Sequence, residues 1–420
     1  MPEGPTADQA LAGEGLRKIH YSERIMPTLA ALASRFAAER PFDGMTVAAC
    51  LHVTAETAVL ARALRAGGAR VALAASNPLS TQDDIAAALA AHDGVQVYAK
   101  AGVDRGTYYE HIASAVGEGP DLVIDDGGDL VNTLHTERAD VLPRVRGGCE
   151  STATGVLRLR RMVAEGALAF PMIAASDTPA KRLVDDTHGT GQSVVDGLLR
   201  ASGILLAGKT VVVAGFGTCG TGIAECARGL GARVVVTEVD PVRALDAALR
   251  GFRVLPLADA APLGEVFITA TGSTEVITAE HMTLMRDGAI LANAGHFDVE
   301  IDVRGLGDLA VAVHPDVRPH ADAYELPDGR RLLLLAEGRV VNLVAAGGHP
   351  PEAMDLAFGI EALALAWLAR HAEKLSPDVH PVPPDIDAEA ARLMLTALGA
   401  DIDTLTEAQR AYLASWHLGS

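Results

Sequence analysis

The chain has 420 residues, 49% of them hydrophobic and 21% charged, with a formal net charge of −19. That length implies two domains, and that composition implies a well-packed globular enzyme rather than a disordered chain. The acidic balance argues against nucleic acid or an anionic membrane as partner.

Met1–Thr6 has neither the basic nor the apolar segment of a secretion signal, and no apolar run reaches the length of a membrane span, so a cytoplasmic protein is expected. Residues 28–40 read as a helix, 45–50 as a buried strand, 55–66 as a helix and 70–74 as a strand. Residues 81–91 return to helix, 95–98 to strand, and Leu122–Ile124 is a short strand that ends in the turn Asp125-Asp126-Gly127-Gly128-Asp129. This alternation implies a parallel sheet with covered faces, with ligands gathered at the carboxyl ends of its strands. A second alternating unit runs from about 208 to 344, with strands at 210–214, 233–237, 266–270 and 289–293. A long amphipathic helix at 352–368, a stiff proline-bearing connector at 376–384 and two short helices complete the chain. Cys50, Cys149, Cys219 and Cys226 show no CxxC spacing, so neither a zinc site nor a disulfide framework is suggested.

The expected fold class is therefore α/β. A Rossmann-type dinucleotide domain at 191–345 is inserted in a second α/β domain, formed by 1–190 with 346–385 as its return and hinge, and 386–420 form a C-terminal helical appendage. The dinucleotide expectation rests on Val211–Gly220, which places Gly215, Gly217 and Gly220 between a β-branched run and a helix, with Thr218 inside the loop. The first glycine permits a tight turn, the second lets backbone approach a pyrophosphate, and the third lets helix pack on strand. Phosphates then face the unpaired N–H groups of the helix N-terminus. Glu238, at the end of the next β-branched run, accepts from both hydroxyls of an adenosine ribose and repels a 2′-phosphate, which favours NAD over NADP.

Chemistry-bearing residues fall at strand ends of the first unit. His52 and Thr54, with Glu56, open a helix after the 45–50 strand. Asp126 is a candidate carboxylate; as a metal ligand it is weakened by spacing that matches no calcium loop. Lys181 and Asp185, four apart, form either a surface ion pair or, if buried beside a nicotinamide, a candidate base with its partner.

Eight segments in order then resemble the S-adenosylhomocysteine hydrolase family across residues 20–416: Leu51–Leu60, Ser80–Asp83, Asp125–Asp129, the Gly215 loop, Thr237–Pro241, Asn293–Asp302, Leu335–Arg339 and Gly348–Pro350. The ending Ala411–Trp416 resembles that of the shorter bacterial and archaeal members. The resemblance implies tightly bound NAD that oxidises a sugar 3′-hydroxyl, making the neighbouring C4′ proton removable, so that a 5′ substituent is eliminated before the ketone is reduced back. It implies that Lys181 and Asp185 handle the hydroxyl proton, that Asp126 is the base near C4′, and that His52 and His296 serve the leaving group or water. Thr54, Glu56, His349 and Met354 would hold adenine; Thr152, Thr154 and Thr271 would meet the nicotinamide end, with Asn293 and Asn342 as further cofactor contacts. A homo-oligomer, tetramer or dimer, is implied in the same way.

Departures from the family pattern cluster in the sugar and base pocket. Ser151 stands where the family has a glutamate that binds the ribose, Asp186 where it has asparagine, Thr190 where it has cysteine and Gly347 where it has methionine. Glutamate to serine removes a charge and opens space beside the ribose, and a second carboxylate next to Asp185 disfavours double ionisation. The expected function is therefore an NAD-dependent nucleoside dehydratase of antibiotic biosynthesis, stopping at an exocyclic alkene on a hydroxymethyl-branched adenine nucleoside. The alternatives are a genuine S-adenosylhomocysteine hydrolase and a catalytically silent NAD-binding regulator.

Overall fold

The computed structural model describes residues 7–417. Met1–Thr6, where no secretion signal is read, lies outside the described residues. The chain builds two sheets. The first takes β1 (Thr46–Leu51), β2 (Arg70–Ala75), β3 (Gln96–Tyr98), β4 (Leu122–Asp125), β5 (Gly147–Glu150) and β6 (Met172–Ala174). The second takes β7 (Thr210–Ala214), β8 (Arg233–Thr237), β9 (Arg253–Val254), β10 (Val266–Thr269), β11 (Ile290–Asn293), β12 (Ala312–Arg318), β13 (Ala321–Glu325) and β14 (Arg331–Leu335). A last strand, β15 (Val379–Pro381), returns to the edge of the first sheet.

The first sheet is parallel throughout, in the order β15-β6-β5-β4-β1-β2-β3. Its central strands are buried along their whole length, as a sheet covered on both faces requires. One face carries the helices Pro27–Glu39, Ala55–Ala66 and Pro351–His371, through Phe36, Leu60, Ile360 and Leu365. The opposite face carries Arg105–Gly117 and Asp129–Thr136, through Ile112 and Leu130. Ile386 and Ala390 of the helix Pro384–Ala397 belong to the first of these cores.

Strand order reverses between β1 and β4, so the loops leaving these strands part and open a crevice at their carboxyl ends. His52 and Asp126 sit there. The second sheet, in the order β12-β13-β14-β11-β10-β7-β8-β9, is parallel from β14 through β9. At its other end β12, β13 and β14 are antiparallel, which departs from the wholly parallel arrangement that the alternation suggests. β12 escapes pattern reading because it is an exposed edge strand that holds Pro315 and shifts register between His314 and Arg318. The 376–384 connector also differs from expectation. Its prolines tolerate strand pairing at an edge, and Val379, His380 and Pro381 register with Met172, Ile173 and Ala174. Among the described residues no helix is long and apolar enough to cross a membrane.

Candidate active site

A cavity of about 330 Å³ lies where the carboxyl ends of the first sheet meet the second unit, within the size range of small-molecule sites. His52 follows β1, and its Nε2 stands 3.3 Å from Asp126 Oδ2. Its Nδ1 meets Ser80 Oγ, which fixes the ring. Burial lowers the His52 pKa below its usual 6.5 against the opposing pull of Asp126, so the ring is neutral at pH 7. Asp126 Oδ1 is buried with no hydrogen-bond partner. His296, from the loop after β11, borders the same cavity and packs edge-on against Phe297.

Two buried carboxyls hold this end of the sheet in shape. Asp125 accepts from Val131 N at 2.8 Å, and burial pushes it up to about 7. Glu150, fully buried, accepts from Gly127 N at 2.9 Å, Thr152 N at 2.9 Å and Thr152 Oγ1 at 2.7 Å. Glu150 therefore ties the Asp126 turn to the segment that carries Ser151, Thr152 and Thr154. Sequence reading did not single it out, because nothing in its spacing separates it from a surface glutamate.

Lys181 ends the single turn Pro179–Lys181, and Arg182–Gly189 continues it as a π-helix. The wider i→i+5 turn brings two successive carboxylates to the side of Lys181. Its Nζ lies 3.0 Å from Asp185 Oδ2 and 2.6 Å from Asp186 Oδ1. Burial alone would lower the lysine, but Asp185 and then Asp186 outweigh it and hold the ammonium charged. Burial would likewise raise Asp185, but Lys181 and His349 hold it well below the usual carboxylate range. Asp186, in contrast, is raised, chiefly by burial. The buried cluster excludes a mere surface ion pair. His349 Nδ1 meets Asp185 Oδ1, and its Nε2 lies 3.3 Å from Thr190 Oγ1, so both ring nitrogens face this cluster.

Thr54, Glu56, Gly347 and Met354 border the same cavity. Glu56 accepts from Ser22 Oγ at 2.9 Å, and a Cβ added at Gly347 would meet no heavy atom within 4 Å. Ser151 Oγ is buried without a partner. The charge that serine fails to supply at this position has a near neighbour that sequence reading missed. Glu361, from the helix Pro351–His371, borders the cavity at 2% exposure. The signal was a carboxylate inside the apolar run Leu356–Leu365. Burial pushes its pKa from the ordinary 4.5 to about 8, and the nearby Ser151 hydroxyl offsets part of the rise.

That raised value fixes a pH dependence of stability. Between the unfolded value of 4.5 and the folded value of about 8 the folded chain binds the extra proton, so stability contributed by the neutral carboxyl is lost as pH rises through this window. Glu361→Gln is expected to melt close to the parent at pH 5 and above it at pH 9. Parallel melting curves at both pH values would rule this out.

The second unit presents the dinucleotide loop. Gly215 has φ +97°, and a Cβ on Gly220 would lie 2.0 Å from Gly215 O, so the turn and the close helix approach both need glycine. Thr218 begins the helix Thr218–Gly229 behind Gly217. Glu238 Oε2 accepts from Phe216 N at 2.7 Å, and its Oε1 accepts from Val239 N at 2.7 Å and Asp240 N at 2.9 Å. These backbone N–H groups overcome the effect of burial and keep the carboxylate ionised beside the loop. Asn342 borders the cavity with a buried, unpartnered Oδ1, while its Nδ2 donates to Ser193 Oγ at 3.1 Å. A glycine cradle, an anchored acid and an orphaned amide oxygen fit NAD. Thr271 Oγ1 donates to Glu300 at 2.6 Å. Asn293 lies deeper: its amide is engaged with Gly295, Phe297 and Gly338 carbonyls, and it shapes the turn that carries His296. Among the described residues no group of three or more His, Cys, Asp or Glu is arranged to hold a metal.

Comparison with known proteins agrees with this geometry. The family model described as S-adenosyl-L-homocysteine hydrolase matches residues 5–145, and that described as its NAD binding domain matches residues 186–348. The adenosylhomocysteinase of Aquifex aeolicus is 51% identical over 98% of this chain and 99% of its own. That of Aeropyrum pernix is 54% identical over 97% of this chain and 98% of its own. Among solved structures, a dipicolinate synthase chain from Bacillus halodurans shares the fold, with TM-score 0.50 and 16% identity over 79% of this chain and 100% of that one. With a buried lysine–carboxylate cluster, a His52–Asp126 pair and an NAD loop around one cavity, the chain belongs to the S-adenosyl-L-homocysteine hydrolase family.

Proposed function

We propose that the protein cleaves S-adenosyl-L-homocysteine to adenosine and homocysteine by oxidation, elimination, hydration and re-reduction at the sugar. The observation that carries the chemistry is the Lys181–Asp185 pair and the His52–Asp126 pair on one cavity. The full-length likeness to adenosylhomocysteinases supports the substrate. Bound NAD supplies the oxidation of the 3′-hydroxyl and its reversal. Asp185, held ionised, accepts the hydroxyl proton, and the Lys181 ammonium stabilises the developing charge on oxygen. A ketone at C3′ acidifies C4′–H, and Asp126 Oδ1 takes that proton. The C5′–S bond then breaks, and the proton taken by Asp126 passes through His52 or His296 to the departing homocysteine sulfur. Water adds its hydroxyl at C5′ and gives up one proton, which Asp126 delivers to C4′ before the ketone is reduced back. Thr54, Glu56 and Met354 bound the adenine end, while the His349 side chain, expected to hold adenine, is engaged instead with Asp185 and Thr190 beside the sugar. The same reading places the enzyme in the cytoplasm as a dimer or tetramer.

One observation favours a second reading, the dehydratase. The unpartnered Ser151 hydroxyl on the sugar side and the open space at Gly347 on the base side leave the pocket roomier than a glutamate and a methionine would. Under this reading the 5′-hydroxyl leaves as water, the alkene is retained, and the space beside Ser151 takes a hydroxymethyl branch. The test incubates NAD-loaded protein with S-adenosyl-L-homocysteine and, separately, with adenine nucleosides that include anomerically hydroxymethylated ones, with products followed by mass spectrometry. Adenosine and homocysteine from the first support hydrolysis. An inert first tube with loss of one water from a nucleoside supports the dehydratase. No product in any tube and no reduction of bound NAD would overturn both.

A further inference from the structure

Glu361 is an outlier in its own helix. The positions around it, Leu356, Phe358, Ile360, Leu363 and Leu365, are buried and apolar, as a core helix requires. Yet this carboxyl is 2% exposed, borders the cavity beside the Ser151 hydroxyl, and leaves Oε2 with no hydrogen bond. On the same wall, Ser151 Oγ at the carboxyl end of β5 is also buried and unpartnered. Two unsatisfied buried polar atoms from different elements carry a desolvation cost that a ligand hydroxyl would relieve. The charged groups that face Glu361 are Lys181 and Asp185 from the segment at the cavity floor and Asp126 from the loop after β4, with Cys149 of β5 behind. Lys181 is already held by Asp185 and Asp186 at 3.0 and 2.6 Å, and no ion pair joins it to Glu361 among the described residues.

We propose that Glu361 and Ser151 form a subsite that reads a sugar hydroxyl other than the one held by Lys181 and Asp185, and that this pair determines specificity. An alcohol both donates and accepts, which suits a carboxyl paired with a hydroxyl. The ligand chemistry is a sugar alcohol, supplied by the ribose 2′-hydroxyl or by a hydroxymethyl branch at the anomeric carbon. The proposal rests on the reading that the cavity takes an adenine nucleoside.

The test is titration calorimetry on the full-length, NAD-loaded protein with two nucleoside pairs: adenosine against 2′-deoxyadenosine, and 1′-hydroxymethyladenosine against adenosine. In one pair the parent is expected to prefer the member that bears the extra hydroxyl by on the order of ten-fold; the pair that shows it identifies the source. Glu361→Gln keeps a donor and an acceptor and retains the preference, whereas Glu361→Leu abolishes it. Ser151→Ala, which alters only one hydroxyl, is expected to weaken the same preference and serves if the leucine variant does not fold. Equal affinity within both pairs for the parent, or equal weakening of both members by Glu361→Leu or Ser151→Ala, overturns the proposal alone. No binding by any of the nucleosides overturns the nucleoside reading and the proposal with it.

Discussion

Replacing Lys181 with methionine is expected to lower turnover by about 10²–10⁴-fold, the range for loss of a positioned proton-handling group. The substitution preserves the length of the side chain and removes its charge. In the parent, Lys181 keeps Asp185 ionised and shares its protons with Asp186 at 2.6 Å. Without it the two carboxylates repel each other inside the protein, Asp185 loses the first of the groups that hold its pKa down, and the developing charge on the sugar oxygen loses its ammonium partner, so transfer of the hydroxyl proton is impaired. Removing one member of a buried ion pair also costs about 3–5 kcal/mol of stability. Lys181→Met/Asp186→Asn removes that repulsion, so it is expected to regain melting temperature without regaining turnover. Both variants should purify with NAD, because the Gly215 loop and Glu238 lie in the other unit. Turnover of either variant within ten-fold of the parent, measured at saturating substrate and equal NAD content, would remove Lys181 from the chemistry.

The parts of this site that were legible in the sequence are those with short-range signatures. The Gly215 loop is readable because a turn, a pyrophosphate approach and a helix contact each demand glycine at a fixed offset. The central strands are readable because a strand buried on both faces must be a continuous apolar run, as in Val211–Val213 and Leu122–Ile124. Lys181 and Asp185 were visible as a pair, but their burial was not: spacing alone fits a solvated helix face equally well. The π-helix that brings Asp186 to the same lysine leaves no mark in periodicity. Glu361 and Glu150 were missed for a related reason. Each acts across the fold, Glu361 beside Ser151 and Glu150 on Gly127, from positions 210 and 23 residues distant. β12 and β15 were hidden by prolines, which mark turns in most contexts and are tolerated in strands only at sheet edges.

Asp126→Asn is expected to separate oxidation from elimination. The asparagine matches the aspartate in shape and preserves the loop, whose backbone is set by Asp126 N donating to Cys50 O at 3.0 Å and by Glu150 receiving Gly127 N at 2.9 Å. What it removes is the basicity of Oδ1, the buried oxygen that no protein group satisfies. In the proposed cycle the 3′-hydroxyl proton goes to the Lys181 cluster, so the variant should still reduce its bound NAD when mixed with adenosine. Release of the C4′ proton should fall by about 10²–10⁴-fold, as expected for loss of a general base. In deuterated buffer the parent therefore exchanges C4′–H of adenosine, and the variant does not, although absorbance of the reduced cofactor rises in both. The alternative is that Asp126 serves only to orient His52, whose Nε2 is 3.3 Å away. In that case His52→Gln would abolish C4′ exchange as completely as Asp126→Asn. If His52 instead serves the leaving group, as proposed, His52→Gln slows release of homocysteine while C4′ exchange with adenosine persists.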